Sequence, residues 1–540
     1  QQLLHLLQQQ ENLAKLTHKI SLYASLLETT NIGDATVTRF DKLIEEKLIA
    51  KGQEIIFIDV ELAQLSDEAW EVFLASNELI DYHQHLQDHY LEAKHTLSEP
   101  EEKILAEKSQ TSSHALLHLF TVTTNTLTFE WHDTTITLEE LQSKFHDSDP
   151  AVRKEAAIIL HKGLQGNNRT TPAILNALVQ DKTISDRLRH FDQPEDARYL
   201  SDSVDRETVE AMITAVANSR ELVQRYYAIK KRILKTDTLH WWDRYAPLPE
   251  VTQEYTASEG WEMVQQALHA FSPTMAAIAT EVIEQNHVDW FPSQTKHNGA
   301  FCAFGQYGKL PYVMLNYTNK PDDVMTLAHE LGHAVHDVLA QRNNVLLQTW
   351  PSTATAEIAS VFAESLLFER LIGTKDIRQQ DRISLLMNDI EGAFATVHRQ
   401  TSMFQFEQQL HRKRRTEGEL SQEEIDTLWH DTMKAPFEGE LIYTNEHRNT
   451  WMYIPHIFRS PFYVYSYAFA QLCVLALVQQ YKEQGPGFAD KYLELLSIGG
   501  SKTPRETLTT AGFDITKPEF WQKGLDYIND RITELEQAAT

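Results

Sequence analysis

Apolar residues at three- and four-residue spacing run through most of the chain and predict a mainly α-helical protein. Over 322–341 the residues Val324, Leu327, Ala328, Leu331, Val335, Val338 and Leu339 fall on one helical face. Pro321 suits a first helical position, and Asp322 and Asp323 complement the positive end of the helix dipole. A second helix is expected over roughly 353–371, where Ile358, Ala359, Val361, Phe362, Leu366 and Leu367 make it apolar nearly all round. Near the start, Leu13, Leu16, Ile20, Tyr23 and Leu27 mark an amphipathic helix, and further helical stretches follow over 43–50, 62–86 and 90–97. The segment 126–136 alternates and carries an Asp-Thr-Thr turn, so it reads as a short hairpin. Thr137 with Glu140 then opens a helix as a capping box. A boundary near His146 and Pro150 divides the chain into an N-terminal helical domain, 1–147, and a larger domain, 148–540. In the latter, helices are expected over 151–165, 172–189, 205–233 and 261–286. The glycine-rich stretch 298–315 reads as two short strands beside the 322–341 helix.

That helix carries the candidate chemistry. His329-Glu330-Leu331-Gly332-His333 is the H-E-x-x-H pattern of zinc peptidases. One turn apart, His329 and His333 can reach one metal ion from the same side. Glu330, rotated by about 100° from His329, is better placed to act on a water than to bind the ion. A third ligand on the same helix is not evident. The pattern with a further His ten residues after the first fails, because Leu339 stands there. His336 shares the face but lies two turns from His329, about 10.5 Å along the axis, too far for one small ion to span. It is expected to neighbour the site through a hydrogen bond. The next helix offers Glu357 and Glu364, seven residues apart on one face with Ser360. Carboxylates on so apolar a helix need a partner, and a metal is a good one; either could serve.

The segments H-E-L-G-H-A-V-H from His329 and A-E-I-A-S-V-F-A-E through Glu364 resemble oligoendopeptidase F and its thimet oligopeptidase relatives. The resemblance extends from about Tyr199 to the tyrosine-rich segment after Pro455. It implies a helical bowl with a deep substrate channel and a small sheet beside the zinc helix. It also implies one Zn²⁺ ion held by His329, His333 and Glu357, with Glu330 as general base and Glu364 orienting a ligand histidine. Oligopeptides are the implied substrates. A hydrolase also needs donors for the oxyanion. The segment 451–467 supplies candidates in His456, Tyr463 and Tyr467, and the resemblance places such a His and tyrosines in the substrate cleft. Ser460-Pro461 reads as a helix start that would put Tyr463 and Tyr467 on one face and turn Tyr465 away.

Composition narrows the partners. With 49 basic and 77 acidic residues, the formal charge of −28 disfavours nucleic acid and anionic membranes. Two cysteines, Cys302 and Cys473, in apolar settings give no disulfide framework and no thiolate metal site. The first residues lack the basic start and apolar core of a signal peptide, and the longest apolar run, 461–478, is interrupted by polar residues, so a soluble cytoplasmic protein is expected. The basic run 411–415 reads as cations at a helix C-terminus. An exopeptidase of the same metal chemistry and an inactive helical binding protein are the alternatives to an oligopeptide-cleaving endopeptidase. The oligomeric state is not legible.

Overall fold

The apolar stripe of 322–341 forms a helix, Pro321–Asn343, in a computed structural model that describes residues 1–55, 57–247, 254–374 and 377–539. Pro321 stands in its first turn, and the Asp323 carboxylate accepts the backbone N–H of Lys320 at 2.9 Å, which satisfies a donor at the helix entrance. The protein is mainly helical, with three small sheets among the described residues. It comprises two compact units, each assembled from three separated stretches. One unit is Gln1–Thr96, Thr252–Asp376 and Cys473–Ile515; the other is Leu97–Val251, Ile377–Leu472 and Thr516–Thr540. The division expected at 147/148 follows the chain and stands as a proposal beside this one.

In the first unit the Pro321–Asn343 helix is the buried centre. Leu327, Ala328, Leu331, Ala334 and Val335 are fully buried, and the helix packs against Ile358–Ile372, Ala257–Phe271, Pro273–Glu284 and Ala489–Ser497. The closest approach is at Gly332. A Cβ there would lie 2.5 Å from the carbonyl oxygen of Ala359 and 2.6 Å from Cα of Ser360. Glycine is required because the two backbones touch. A three-stranded sheet lies beside the helix, with Tyr312–Met314 in the middle, Val288–Asp289 parallel on one side and Phe301–Ala303 antiparallel on the other. The loop after Phe301–Ala303 is tied to the helix: Gly305 N–H donates to Asp337 at 3.3 Å and Gly308 N–H to Gln341 at 2.6 Å. The expected pair of strands is therefore present, joined by a third of only two residues, too short to leave a periodic signal.

Several expected helices are broken where a capping residue offers a competing conformation. Between 62 and 86 the chain forms Asp67–Leu74, a 3₁₀ turn at Asn77–Tyr82 and His83–Ala93, with Ser66 capping the first of these. The stretch 261–286 divides at Ser272-Pro273, whose Ser272 hydroxyl accepts Met275 N–H at 3.4 Å. The N-terminal helix, Gln2–Thr30, forms, but the predicted apolar face is not its packed face. Leu13, Leu16, Ile20 and Tyr23 are 41%, 64%, 46% and 63% exposed. The packed side carries Leu7, Glu11 and His18, the last bonding the Gly305 carbonyl at 3.2 Å. Periodicity reports a stripe, not which stripe finds a partner.

The second unit contains the predicted hairpin, Thr128–Trp131 with Thr134–Thr137, but its turn is His132-Asp133, with His132 at φ 52°, and the two threonines are strand residues. Thr137 and Glu140 form the capping box that the sequence indicated. Helices Pro150–Gln165, Thr170–Leu188, Arg206–Asn218 and Arg220–Leu234 follow, then Gln379–Phe394, Gln400–Glu417, Gln422–Lys434 and Pro518–Ala538. The basic run ends the Gln400–Glu417 helix, with Arg414 and Arg415 in its last turn. Two buried cations are paired here: Arg153 binds Asp243 at 2.9 Å, and Lys230 binds Glu391 and donates to the Arg244 carbonyl at 2.6 Å.

The contact at Gly332 makes a direct prediction. Gly332→Ala should destabilise the protein by about 1–3 kcal/mol, because backbone rather than a movable side chain occupies the space. Denaturant titration checks it; an unchanged midpoint would mean that the two helices do not touch as described.

Candidate metal centre

The site is built by two backbones held in contact. His329 and His333 project from one face of the Pro321–Asn343 helix, their rings 4.8 Å apart. Facing them, the expected single helix over 353–371 is two helices, Thr353–Ala356 and Ile358–Ile372, and Glu357 stands at the break between them. Three contacts satisfy the backbone around that break. His336 bonds the Ala356 backbone, Ser360 Oγ donates to the Glu357 carbonyl at 3.0 Å, and Tyr492 donates to the Ile358 carbonyl at 3.1 Å. His336 is thus the hydrogen-bonded neighbour that the sequence suggested. Burial holds its pKa down to about 4, so at neutral pH it is an uncharged support.

Glu357 Oε2 lies 3.5 Å from Nε2 of His329 and 3.4 Å from Nε2 of His333. These are the three residues among those described whose donor atoms all fall within 4.8 Å of one another. Two donors bound tetrahedrally at about 2.1 Å would sit roughly 3.4 Å apart, so Glu357 stands from each histidine at the separation that a tetrahedral zinc site would have. The donor chemistry fits as well, with two neutral imidazoles and one carboxylate. The other ring nitrogen of His329, Nδ1, donates to the Glu364 carboxylate, which fixes the ring and leaves Nε2 facing His333 and Glu357. Ser360 Oγ donates to Glu357 Oε2 at 2.8 Å.

Burial alone would raise the Glu357 pKa, but the bonds to His333 and Ser360 outweigh it and bring it down to about 2. Burial lowers the His329 pKa and Glu364 more than offsets that. Glu330 is 6% exposed, and burial raises its pKa, against the pull of His329 and His333. A carboxylate whose basicity is raised beside a metal-ligand set is suited to take and return a proton.

His456, Tyr463 and Tyr467 belong to the second unit and form a cluster of their own. The His456 Nε2 and Tyr467 hydroxyl are 3.2 Å apart, and the Tyr463 and Tyr467 rings are 5.3 Å apart and nearly perpendicular. The helix predicted to begin at Ser460-Pro461 begins instead at Tyr465. His456 lies on the short helix Pro455–Arg459, and Phe462 adopts φ 62° with its N–H donated to buried Glu407 at 2.9 Å. That left-handed residue stops any helix from running through the segment. The two tyrosines still meet, whereas Tyr465 is fully buried with its hydroxyl on Asp202 at 2.9 Å. Two supports escaped the sequence reading, the break at Glu357 and the aromatic anchor Tyr492; neither has a local signature.

Comparison with known proteins matches the chain to a family. The model of peptidase family M3 matches residues 144–527, and the model described as oligopeptidase F matches 61–129. The oligopeptidase PepF of Bacillus subtilis (strain 168) is 27% identical over 486 residues, spanning 88% of this chain and 72% of its own. The group B oligopeptidase PepB of Streptococcus agalactiae serotype III (strain NEM316) is 25% identical over 552 residues, 99% of this chain and 90% of its own. In fold, a crystal structure from Chlamydophila abortus superposes with a TM-score of 0.92 at 24% identity, covering 99% of this chain and 91% of that one. The oligoendopeptidase-F structure from Enterococcus faecium gives 0.72 at 21% identity, covering 97% and 90%.

The geometry separates the two acidic residues. Glu357→Ala should purify nearly free of zinc, having lost both a donor and the negative charge that balances the ion. Glu364→Ala should still bind zinc, about 10- to 100-fold more weakly, because it only orients His329. Zinc titration of both variants in one buffer checks this; the reverse order would exchange their roles.

Proposed function

The chain belongs to peptidase family M3, and on that premise we propose that it is a zinc-dependent endopeptidase that hydrolyses internal bonds of oligopeptides. The observation that carries the proposal is the spacing of His329 Nε2, His333 Nε2 and Glu357 Oε2, with Glu364 holding His329 in the required orientation. When bound there, zinc would supply a Lewis acid that polarises the scissile carbonyl and lowers the pKa of a water. The chain's own residues do the rest. Glu330 accepts a proton from the attacking water as the new C–O bond forms, and returns it to the amine nitrogen as the C–N bond breaks. Its burial keeps the carboxylate basic enough to accept that proton.

His456, Tyr463 and Tyr467 are proposed as the N–H and O–H donors that stabilise the oxyanion, a role carried by the resemblance and supported by their clustering. The strand Phe301–Ala303 is at the edge of its sheet, and we propose that an extended peptide pairs with its free side through main-chain hydrogen bonds. Oligopeptide substrates are in keeping with the names borne by the relatives from Bacillus and Streptococcus. Among the described residues no helix is long and apolar enough to cross a membrane, and a cytoplasmic setting remains part of the proposal.

Two outcomes are expected. Glu330→Gln should retain its zinc yet turn over internally quenched peptides roughly 10²–10⁴-fold more slowly; near-normal turnover of the metal-loaded variant would contradict its role as base. Phe at Tyr463 or Tyr467, or Ala at His456, should lower kcat more than it raises KM, by about 3 kcal/mol for loss of an oxyanion donor. Steady-state kinetics measure the split, and an equal loss in KM would make these residues substrate-binding groups only.

A further inference from the structure

The second unit contains a cavity of about 700 Å³ whose chemistry the hydrolytic residues do not explain. Its lining includes Arg244, Arg399, Arg459 and His146, and the only carboxylate among its lining residues is exposed Glu139. On a chain of formal charge −28, such a cluster of cations is unexpected. His456 lines the same cavity.

Arg244 is the unusual member. It is 8% exposed, yet among the described residues neither its Nε nor its Nη1 has a hydrogen-bond partner, and no carboxylate lies within ion-pair distance. Aromatic rings hold the guanidinium instead, with the Tyr245 centroid at 5.3 Å and that of Phe437 at 6.0 Å. Arg399, also without a carboxylate, bonds the Tyr245 hydroxyl and has an unpartnered, buried Nε. Burial should raise the Tyr245 pKa, but the two guanidiniums outweigh it and lower it, so both project positive potential onto that phenol. The contrast with nearby Arg153, paired with Asp243, is informative: this unit neutralises a buried arginine where the arginine is structural. A buried cation without a counter-charge is costly, and a guanidinium fork is matched in shape by a carboxylate.

We propose that this cavity is a carboxylate-recognition pocket in which Arg244 and Arg399 bind an anionic group of the peptide, either its C-terminal carboxylate or an acidic side chain. The inference rests on the peptidase reading for the identity of the ligand and on Arg244 for its charge. The cavity is large enough for the end of a peptide or a side chain with its neighbours.

The test uses three short peptides with blocked N-termini: one ending in a free carboxylate, the same peptide as its carboxamide, and the carboxamide with Glu as its last residue. Binding is followed by calorimetry on the full-length Glu330→Gln protein, so that the peptides persist, and turnover of quenched peptides is measured separately on the wild type. One of the two anionic peptides should bind about 10- to 100-fold more tightly than the neutral one. A gain with the free terminus assigns the pocket to the C-terminus, and a gain with Glu assigns it to side chains. That gain should vanish in Arg244→Met and shrink in Arg399→Gln, while both still bind the neutral peptide. It should persist in His333→Ala, which removes a zinc ligand and so excludes the metal as the anion's partner. If Arg244→Met does not fold, Arg399→Gln, at the half-buried position, supplies the same reading. Equal binding of all three peptides, or a gain that survives the arginine substitutions, would overturn the pocket. Turnover without any such gain would overturn the pocket and leave the peptidase reading intact. A gain without turnover would do the reverse.

Discussion

The candidate metal centre depends on a backbone contact at Gly332. The Pro321–Asn343 helix can approach Ile358–Ile372 this closely only because residue 332 has no side chain, and the approach brings Glu357 to about 3.5 Å from both histidines. Buried apolar packing on other sides of the histidine helix keeps that contact in place, with Leu327, Leu331 and Val335 fully buried. A donor triad must be held to a fraction of an ångström to bind a small ion, and rigid helices in direct contact achieve this better than loops. His336 and Tyr492 contribute by satisfying backbone groups of the broken helix on either side of Glu357.

Electrostatics divides the labour. Around the candidate metal donors, two imidazoles face the carboxylates of Glu357 and Glu364. In the second unit, Arg244 and Arg399 sit beside aromatic rings, and among the described residues no carboxylate pairs with either guanidinium, although the chain as a whole carries far more acid than base. The first arrangement is suited to a cation and the second to an anion. A peptide offers a carbonyl to polarise and carboxylates to hold, which is why both features are consistent with one class of substrate.

Sequence alone revealed what is local. The H-E-x-x-H helix was legible because its pattern, start signal and apolar face lie within one contiguous stretch, and Glu357 and Glu364 stood out as carboxylates on an apolar helix. The hairpin and its following capping box were legible for the same reason. What depends on distant neighbours was not. The exposed face of Gln2–Thr30 looked like a packing face because periodicity carries no information about its partner. The helix start near Ser460 was misplaced because the left-handed Phe462 is held by Glu407 from another helix. Units assembled from three stretches each, and a cavity joining Arg244 to Arg399, arise only when the chain folds back on itself.

The central claim concerns which atoms hold the ion, and X-ray absorption at the zinc edge of the metal-loaded protein addresses it most directly. The account predicts nitrogen and oxygen donors at about 2.0–2.1 Å, with scattering from two imidazoles that falls to one in His333→Ala. A bound ion with fewer than two imidazoles in the unaltered protein, or a spectrum unchanged by that substitution, would contradict it.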